Sequence, residues 1–498
     1  MTVLRGAFLA LLAAAIGAAA PLAVAAQDSS SAATPTLAAP PDTARVAGPV
    51  SACDGCPPKR PITAVLMGLA TNVFINRFDT WVLNVHDPLP DGYYTRVTPQ
   101  SWGVNIRKGW VFDTDAFQVN MFLHPYQGGT YFRAGRSNGL NFWESAPLTF
   151  LGSLEWEYFG EKTFPSLNDF YNTGFGGIVI GETVYRFVSV IRDNRATGMS
   201  RVLREVATFP LDPVGTVKRL FSGELWRVYG NPGEHAPPPL ALQVQAGVRQ
   251  ARDSGLTGAR SIKGVLIAEL SYGDAFADRY KAPFDVFLAR AVISPGPTPI
   301  GEFRVAGRLY GTELTNTSAP ARAIFTVQQK LEYAESPAYK FGGQSIEAGF
   351  VTAIGVGRAI ELRTEAFVEG IMMGAVDAQG EPDTAGVSGT PRTYDFGPGV
   401  GLDVAATISV NHFPVLAARY HWSMVHSVSG SPADHFTQLP SIELALPITN
   451  TFGVGAHASW YARRSAYVGR PGEVTTFPDF RAYLVWRTRP RTASPEPQ

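Results

Sequence analysis

Between residues 238 and 489 apolar side chains recur at every second position, run after run, and this constrains the chain more than any other feature. A period of two sends successive side chains to opposite faces, so each run reads as a strand with one dry and one polar face. In 399–411, Val400, Leu402, Val404, Ala406, Ile408 and Val410 oppose Asp403, Thr407, Ser409 and Asn411. In 358–369, Ile360, Leu362, Ala366 and Val368 oppose Glu361, Arg363, Glu365 and Glu369. In 302–310, Phe303, Val305 and Leu309 oppose Glu302, Arg304 and Arg308, and His421 and His426 sit in a similar run as lumen or rim residues. About 12 such runs follow one another, separated by Pro, Gly, Ser and Asp turns.

Length decides what these strands form. Strands of soluble sandwiches usually have about five or six residues, whereas a tilted strand crossing a bilayer needs about nine or more. Lipid offers no hydrogen-bond partner, so a sheet placed in it must close on itself. The expectation is a transmembrane antiparallel β-barrel of about 12 strands over 238–489 in an otherwise mixed α+β chain, with a short tail at 490–498. If 101–122 joined the sheet as a hairpin, the count would be 14. The lipids of an outer membrane would be the main partner.

The start of the chain agrees with export. Arg5, the apolar stretch Ala7 to Val24 and the small residues at Ala23-Val24-Ala25 form a signal peptide over 1–26 with a cleavage site. Residues 27–60 are rich in Ser, Ala, Thr and Pro and read as a linker. Cys53 and Cys56 are the two cysteines, and in an exported chain they read as a local disulfide. A zinc site would need further ligands of that kind. The formal net charge is zero, so there is no basic excess to hold nucleic acid, and no motif calls for a cofactor.

Residues 61–235 are of another kind. Residues 62–75 suggest a short buried helix. Residues 101–112 and 115–122 fit either a hairpin turning at Asp113-Thr114-Asp115 or short helical pieces. From Tyr131 to Tyr158 the apolar spacing is closer to helical, with Pro147 starting or kinking a helix. Ser166 and Asp212 read as N-caps, the latter with Pro213 at the first helical position. Gly177 and Gly181 lie one helical turn apart, a spacing that lets two helix backbones approach. Residues 229–239 mark the boundary to the strands. The expected place for this partly helical domain is as a plug inside the barrel or a domain beneath its periplasmic mouth.

Asn120, His124, Arg133, Arg136, Glu157, Glu161, Asp169 and Glu182 form the candidate constellation within this part. Buried charges need partners, so Arg133 and Arg136 would pair with Glu157, Glu161 or Glu182 as structural ion pairs that fill the barrel. His124 with Glu157, Glu161 and Asp169 could instead act as an acid–base group with Ser145 or Ser153 as nucleophile. Neither Gly-x-Ser-x-Gly nor His-Glu-x-x-His is present.

The stretch Asn120-x-x-x-His124-Pro125-x-x-Gly128, with Tyr131-Phe132, Ala134-x-Arg136-x-x-Gly139, Ser145, Gly152-Ser153, Trp156-Glu157, Glu161, Pro165-Ser166, Asp169, Gly181-Glu182 and Asp212-Pro213, resembles a bacterial outer-membrane family, domain of unknown function 3943. The resemblance covers roughly residues 75–225. It implies location and shape and brings no activity. The expected role is passage or binding of a small or amphiphilic envelope molecule at the polar lumen. The alternatives are an outer-membrane lipid-modifying hydrolase using His124 and a structural or assembly protein.

Overall fold

The computed structural model describes residues 58–488, apart from 84–93, 233–238, 253–259, 277–281, 297–298, 316–320, 337–338, 358 and 379–391. The expected signal peptide, most of the expected linker, Cys53, Cys56 and the tail lie outside the described residues. So does most of the boundary expected at 229–239.

Twelve antiparallel strands form a closed barrel: β1 (Leu240–Arg252), β2 (Arg260–Tyr272), β3 (Phe287–Ile293), β4 (Ile300–Glu313), β5 (Ala321–Glu335), β6 (Lys340–Val356), β7 (Ile360–Asp377), β8 (Tyr394–Val410), β9 (Phe413–His426), β10 (Ala433–Pro447), β11 (Phe452–Tyr467) and β12 (Glu473–Arg487). Each strand pairs with its sequence neighbour, and β1 closes on β12 from Gln243–Arg487 to Gln250–Phe480. Closure leaves no unpaired edge. The alternating runs are these strands. The β8–β9 connection is a two-residue turn in which Asn411 and His412 both take positive φ, the twist that suits a tight hairpin.

The expected alternation holds, and the contacts say which face is which. Arg304 on β4 meets Asp403 on β8 at 2.9 Å, and Arg481 on β12 bonds Glu302 on β4. Neither pair joins neighbouring strands, so these side chains meet across the lumen. The opposite parity points outward: Val400, Leu402, Val404, Ile442, Leu444, Val454 and Leu484 are exposed.

The helices are α1 (Pro61–Phe78), α2 (Pro99–Lys108), α3 (His124–Ser137), α4 (Phe142–Glu155), α5 (Leu167–Tyr171), α6 (Gly177–Ile191), α7 (Gly198–Thr208) and α8 (Pro213–Phe221). Short π-helical turns, at Val119–Leu123 before α3, Trp156–Gly160 after α4 and Asn172–Gly176 between α5 and α6, join these pieces into longer rods. Residues 101–122 are helical or irregular, so they add nothing to the sheet and the count stays at twelve. Pro147 lies inside α4. Ser166 and Asp212 are N-caps, accepting from the backbone N–H of Asp169 and Gly215.

The helices do not plug the barrel, nor do they lie beneath its mouth. They lie along its outer wall. Phe132, Phe142, Ile178, Val179 and Ile180 form one core with Tyr272, Phe287, Val305 and Leu331, all outward-pointing strand residues. Phe117, Met121 and Phe122 form a second with Ile300, Tyr333, Met373, Tyr394 and Phe396. Gln329 of β5 donates to the Phe175 carbonyl. The lumen is already filled by the strands' own long charged side chains, while the outer wall of β2–β8 offers an apolar surface to cover.

This also corrects the reading of 62–75 as a buried helix. α1 is on the outside of the layer, with Ile62, Leu66, Val73 and Phe74 exposed. Only its small and amide positions (Ala64, Gly68, Asn72 and Asn76) are buried.

Candidate functional site

α3 is the centre of the helical layer, buried at ten positions from Pro125 to Arg136. It runs beside α6 with the two backbones in near contact. A Cβ on Gly177 would lie 2.6 Å from the Gly128 Cα, and one on Gly181 would lie 2.5 Å from the Phe132 side chain. Such contact needs glycine, as the spacing of Gly177 and Gly181 indicated.

The candidate residues separate into two groups along these helices. The first gathers where α3 begins, against the barrel end that carries Tyr394. His124 Nε2 is 3.4 Å from Asp169 Oδ1. Asn120 donates to Asp113 Oδ1 at 2.9 Å and to the Tyr394 hydroxyl at 2.8 Å. Asn168 donates to the same Asp113 oxygen at 2.8 Å and to Asp169 at 2.9 Å. Glu157 accepts the Ser166 N–H at 2.7 Å. Arg392, in the connection before β8, donates to the Asp113 carbonyl at 2.8 Å, and Tyr394 donates to the Asp115 carbonyl at 2.6 Å. Glu161 stands in the loop that follows, its carbonyl held by Asn105. Burial, with Asp115 and Asp113 nearby, pushes its carboxyl up to about 8.

The second group lies toward the other end of α3. Arg136 Nε meets Glu182 Oε2 at 2.9 Å and stacks over the Tyr185 ring at 4.1 Å. Arg186 holds the other Glu182 oxygen at 2.7 Å and reaches Asp285 in the β2–β3 connection. Arg133 Nε is 3.3 Å from Asp212 Oδ1, and Arg192 takes the other Asp212 oxygen at 2.8 Å. So Arg136 pairs with Glu182 as expected. Arg133 pairs instead with the cap residue Asp212, and Glu157 and Glu161 belong to the first group.

Asp113, Asn168, Tyr394 and Arg392 were missed. By sequence Asp113 reads as a turn residue, and the last two come from the barrel, more than 200 positions away, so no spacing connects them. Ser145 and Ser153 are both sealed on α4. Ser145 Oγ would meet a Cβ on Gly135, which lies about 16 Å along α3 from His124 at 1.5 Å per residue. The structure does not bring it to His124.

The residues of the expected motif thus share the seam between α3, α4, α6 and the barrel wall. Residues 109–214 match the family model described as Domain of unknown function (DUF3943). The DUF3943 segment comprises α3 to α7 and ends just after the Asp212 cap that receives Arg133. No curated protein matches the chain. Among solved structures, the chain is similar to the NanC porin at 10% identity, with 50% of this chain and 100% of that chain covered and a TM-score of 0.28. It is similar to the CymD monoaromatic hydrocarbon channel at 8% identity, 52% and 90% coverage and a TM-score of 0.23. It is also similar to an outer membrane channel from Pseudomonas putida F1 at 12% identity, 51% and 97% coverage and a TM-score of 0.24.

The lumen is the other polar surface. Lys330 Nζ meets Glu347 and Glu369 at 2.7 Å each and Glu332 at 2.9 Å. Asp403 is shared by Arg304 and Arg419. Arg249 and Arg481 share Asp479 at 2.8 and 2.6 Å. Glu332, Glu369 and His421 come close enough to hold a cation, with donor atoms within 4.8 Å of one another. The Lys330 ammonium already occupies that position electrostatically, so a metal would have to displace it. His421 is buried in the lumen, and His426 pairs with Asp434 at the rim at 2.7 Å.

Proposed function

We propose that this protein is an outer-membrane β-barrel that binds and passes small polar solutes through a charged, constricted lumen. The exposed apolar belt on β8–β12 supports the location, since such a surface is costly in water and suited to lipid.

The observation that carries the proposed passage is the set of shared ion pairs joining opposite walls. Asp403 is held by two guanidinium groups and Arg481 by two carboxylates. A group with two partners can yield one to a passing solute and stay paired through the other, which lowers the cost of opening. Charges of both signs line the path, so the fitting solutes are small and carry charged or hydroxyl groups.

Planar-bilayer recordings test this. Wild type should give small, discrete conductance steps. The paired variant Arg304→Gln with Asp403→Asn should enlarge them while keeping shape and net charge. If correctly inserted protein of both kinds passes no current, the barrel is sealed.

One observation favours a second reading, that of a structural protein. A helical layer covers the wall of β2–β8, which suits a barrel serving as a dock for its own helices. Hydrolysis at His124 has less support, because Ser145 and Ser153 are both sealed and Ser145 lies at the far end of α3 from it.

A further inference from the structure

The helical layer has its polarity reversed relative to a water-soluble bundle. The charges of α3, α6, α7 and α8 point inward. Arg201 of α7 is buried and donates to the carbonyls of Asn194, Ala196 and Glu224. Arg204 donates to the Ile191 carbonyl, and Glu205 takes Arg219 of α8 at 2.6 Å. The apolar residues of the same two helices point away from the protein: Leu203 is 62% exposed, Val206 63%, Phe221 84% and Trp226, just beyond α8, 75%. α1 repeats the pattern. Asn72 and Asn76 face α4 and the turn after it, donating to the carbonyls of Gly152 and Gly160, while Leu66 and Phe74 face out.

A soluble bundle buries its apolar stripe and wets its charges. Here the apolar stripe has no protein over it among the described residues, and the charges of α3, α6, α7 and α8 are turned inward onto partners, while exposed charges such as Lys59, Arg107, Lys108 and Glu144 lie on α2 and at the helix starts. Acyl chains are the surroundings that make this arrangement favourable. The apolar surface is also continuous with the barrel's own belt. The helices lie on the outward residues of β2–β8, and exposed Phe350 and Ile354 of β6 carry the apolar surface on beyond them. Arg186, in the C-terminal half of α6, ties that helix to Asp285 and the Pro283 carbonyl in the β2–β3 connection. This places α7 and α8 at the barrel end where β1 starts and β12 finishes.

We propose that α1, α3, α4 and α6 stand within the bilayer beside the barrel wall, and that the apolar face of α7 and α8 is seated in the leaflet at the terminal end. The bound partner is lipid acyl chains. The inference rests on the membrane location proposed above and extends it to a helical part that would otherwise be assigned to water.

Spin labels on the full-length chain test it, in a Cys53→Ser, Cys56→Ser background reconstituted in phospholipid vesicles. Single sites are Leu203→Cys and Phe74→Cys, with Ile442→Cys on the belt and Thr449→Cys in a turn as references. Only heat-modifiable, folded protein is measured. The Leu203 and Phe74 labels should collide with oxygen and be shielded from a nickel chelate to the same degree as Ile442. Nickel access like that of Thr449, with Ile442 still shielded, would overturn the helical proposal alone. Nickel access at Ile442 as well would overturn the membrane location itself. Dipolar broadening at Leu203 that disappears on dilution with unlabelled protein would show a second copy on this face, and would also overturn it.

Discussion

Gly128 and Gly177 stand backbone to backbone where α3 crosses α6, and a Cβ on Gly128 would lie 1.9 Å from the Thr173 carbonyl oxygen. No side-chain rotation relieves a clash with backbone, so the helices would have to separate. Gly128→Ala is expected to destabilise the folded protein by about 1–3 kcal/mol or more. Thermal unfolding in detergent micelles checks this. An unchanged midpoint would mean that the helix pair is looser than described.

Glu182 stands between Arg136 and Arg186, and all three side chains are buried. Removing the shared carboxylate leaves two cations facing each other without solvent. Glu182→Ala is expected to cost about 3–5 kcal/mol. Arg136→Met combined with Glu182→Met should be milder than either charge removal alone. Denaturant midpoints of the single and double variants measure the coupling.

Tyr394 fastens the first site group to the barrel through Asn120 and the Asp115 carbonyl. Tyr394→Phe keeps the ring against Phe117 and Phe396 but removes both hydrogen bonds. The expected loss is about 1–3 kcal/mol. It should appear as faster amide exchange over 113–124, with the exchange of β10 and β11 unchanged.

Glu161 gives a pH dependence. Its carboxyl is pushed from 4.5 up to about 8 by burial and the nearby acids, so the folded protein holds this proton more tightly than the unfolded chain does. The stability it contributes is fully present below pH 4.5 and is lost as pH rises through about 8. Unfolding midpoints should therefore fall between pH 5 and pH 9, and Glu161→Gln should flatten that part of the curve. A wild-type curve that rises over this interval would contradict the assignment.

Much of the architecture was legible in the residues. The alternation of Val400, Leu402 and Val404 with Asp403, and its recurrence in run after run, is set by strand geometry and needs no tertiary information. Ser166 and Asp212 were legible as caps because capping is local chemistry. The approach at Gly177 and Gly181 was legible because only glycine permits it. The composition of the site was legible only in part. His124, Asp169 and Asn120 lie close in the chain, but Tyr394 and Arg392 join them from the far half.

The amino-acid sequence by itself determined a closed sheet of about twelve strands and the division between helical and β parts, since these follow from side-chain period and local backbone preference; twelve rather than fourteen was decided by the helical fold of 101–122. Only the tertiary structure decided on which side of the barrel wall the helices lie and which acid each arginine meets. An outward apolar strand residue reads the same under a helix as under lipid, and a buried charge accepts any partner of opposite sign that the fold brings within reach.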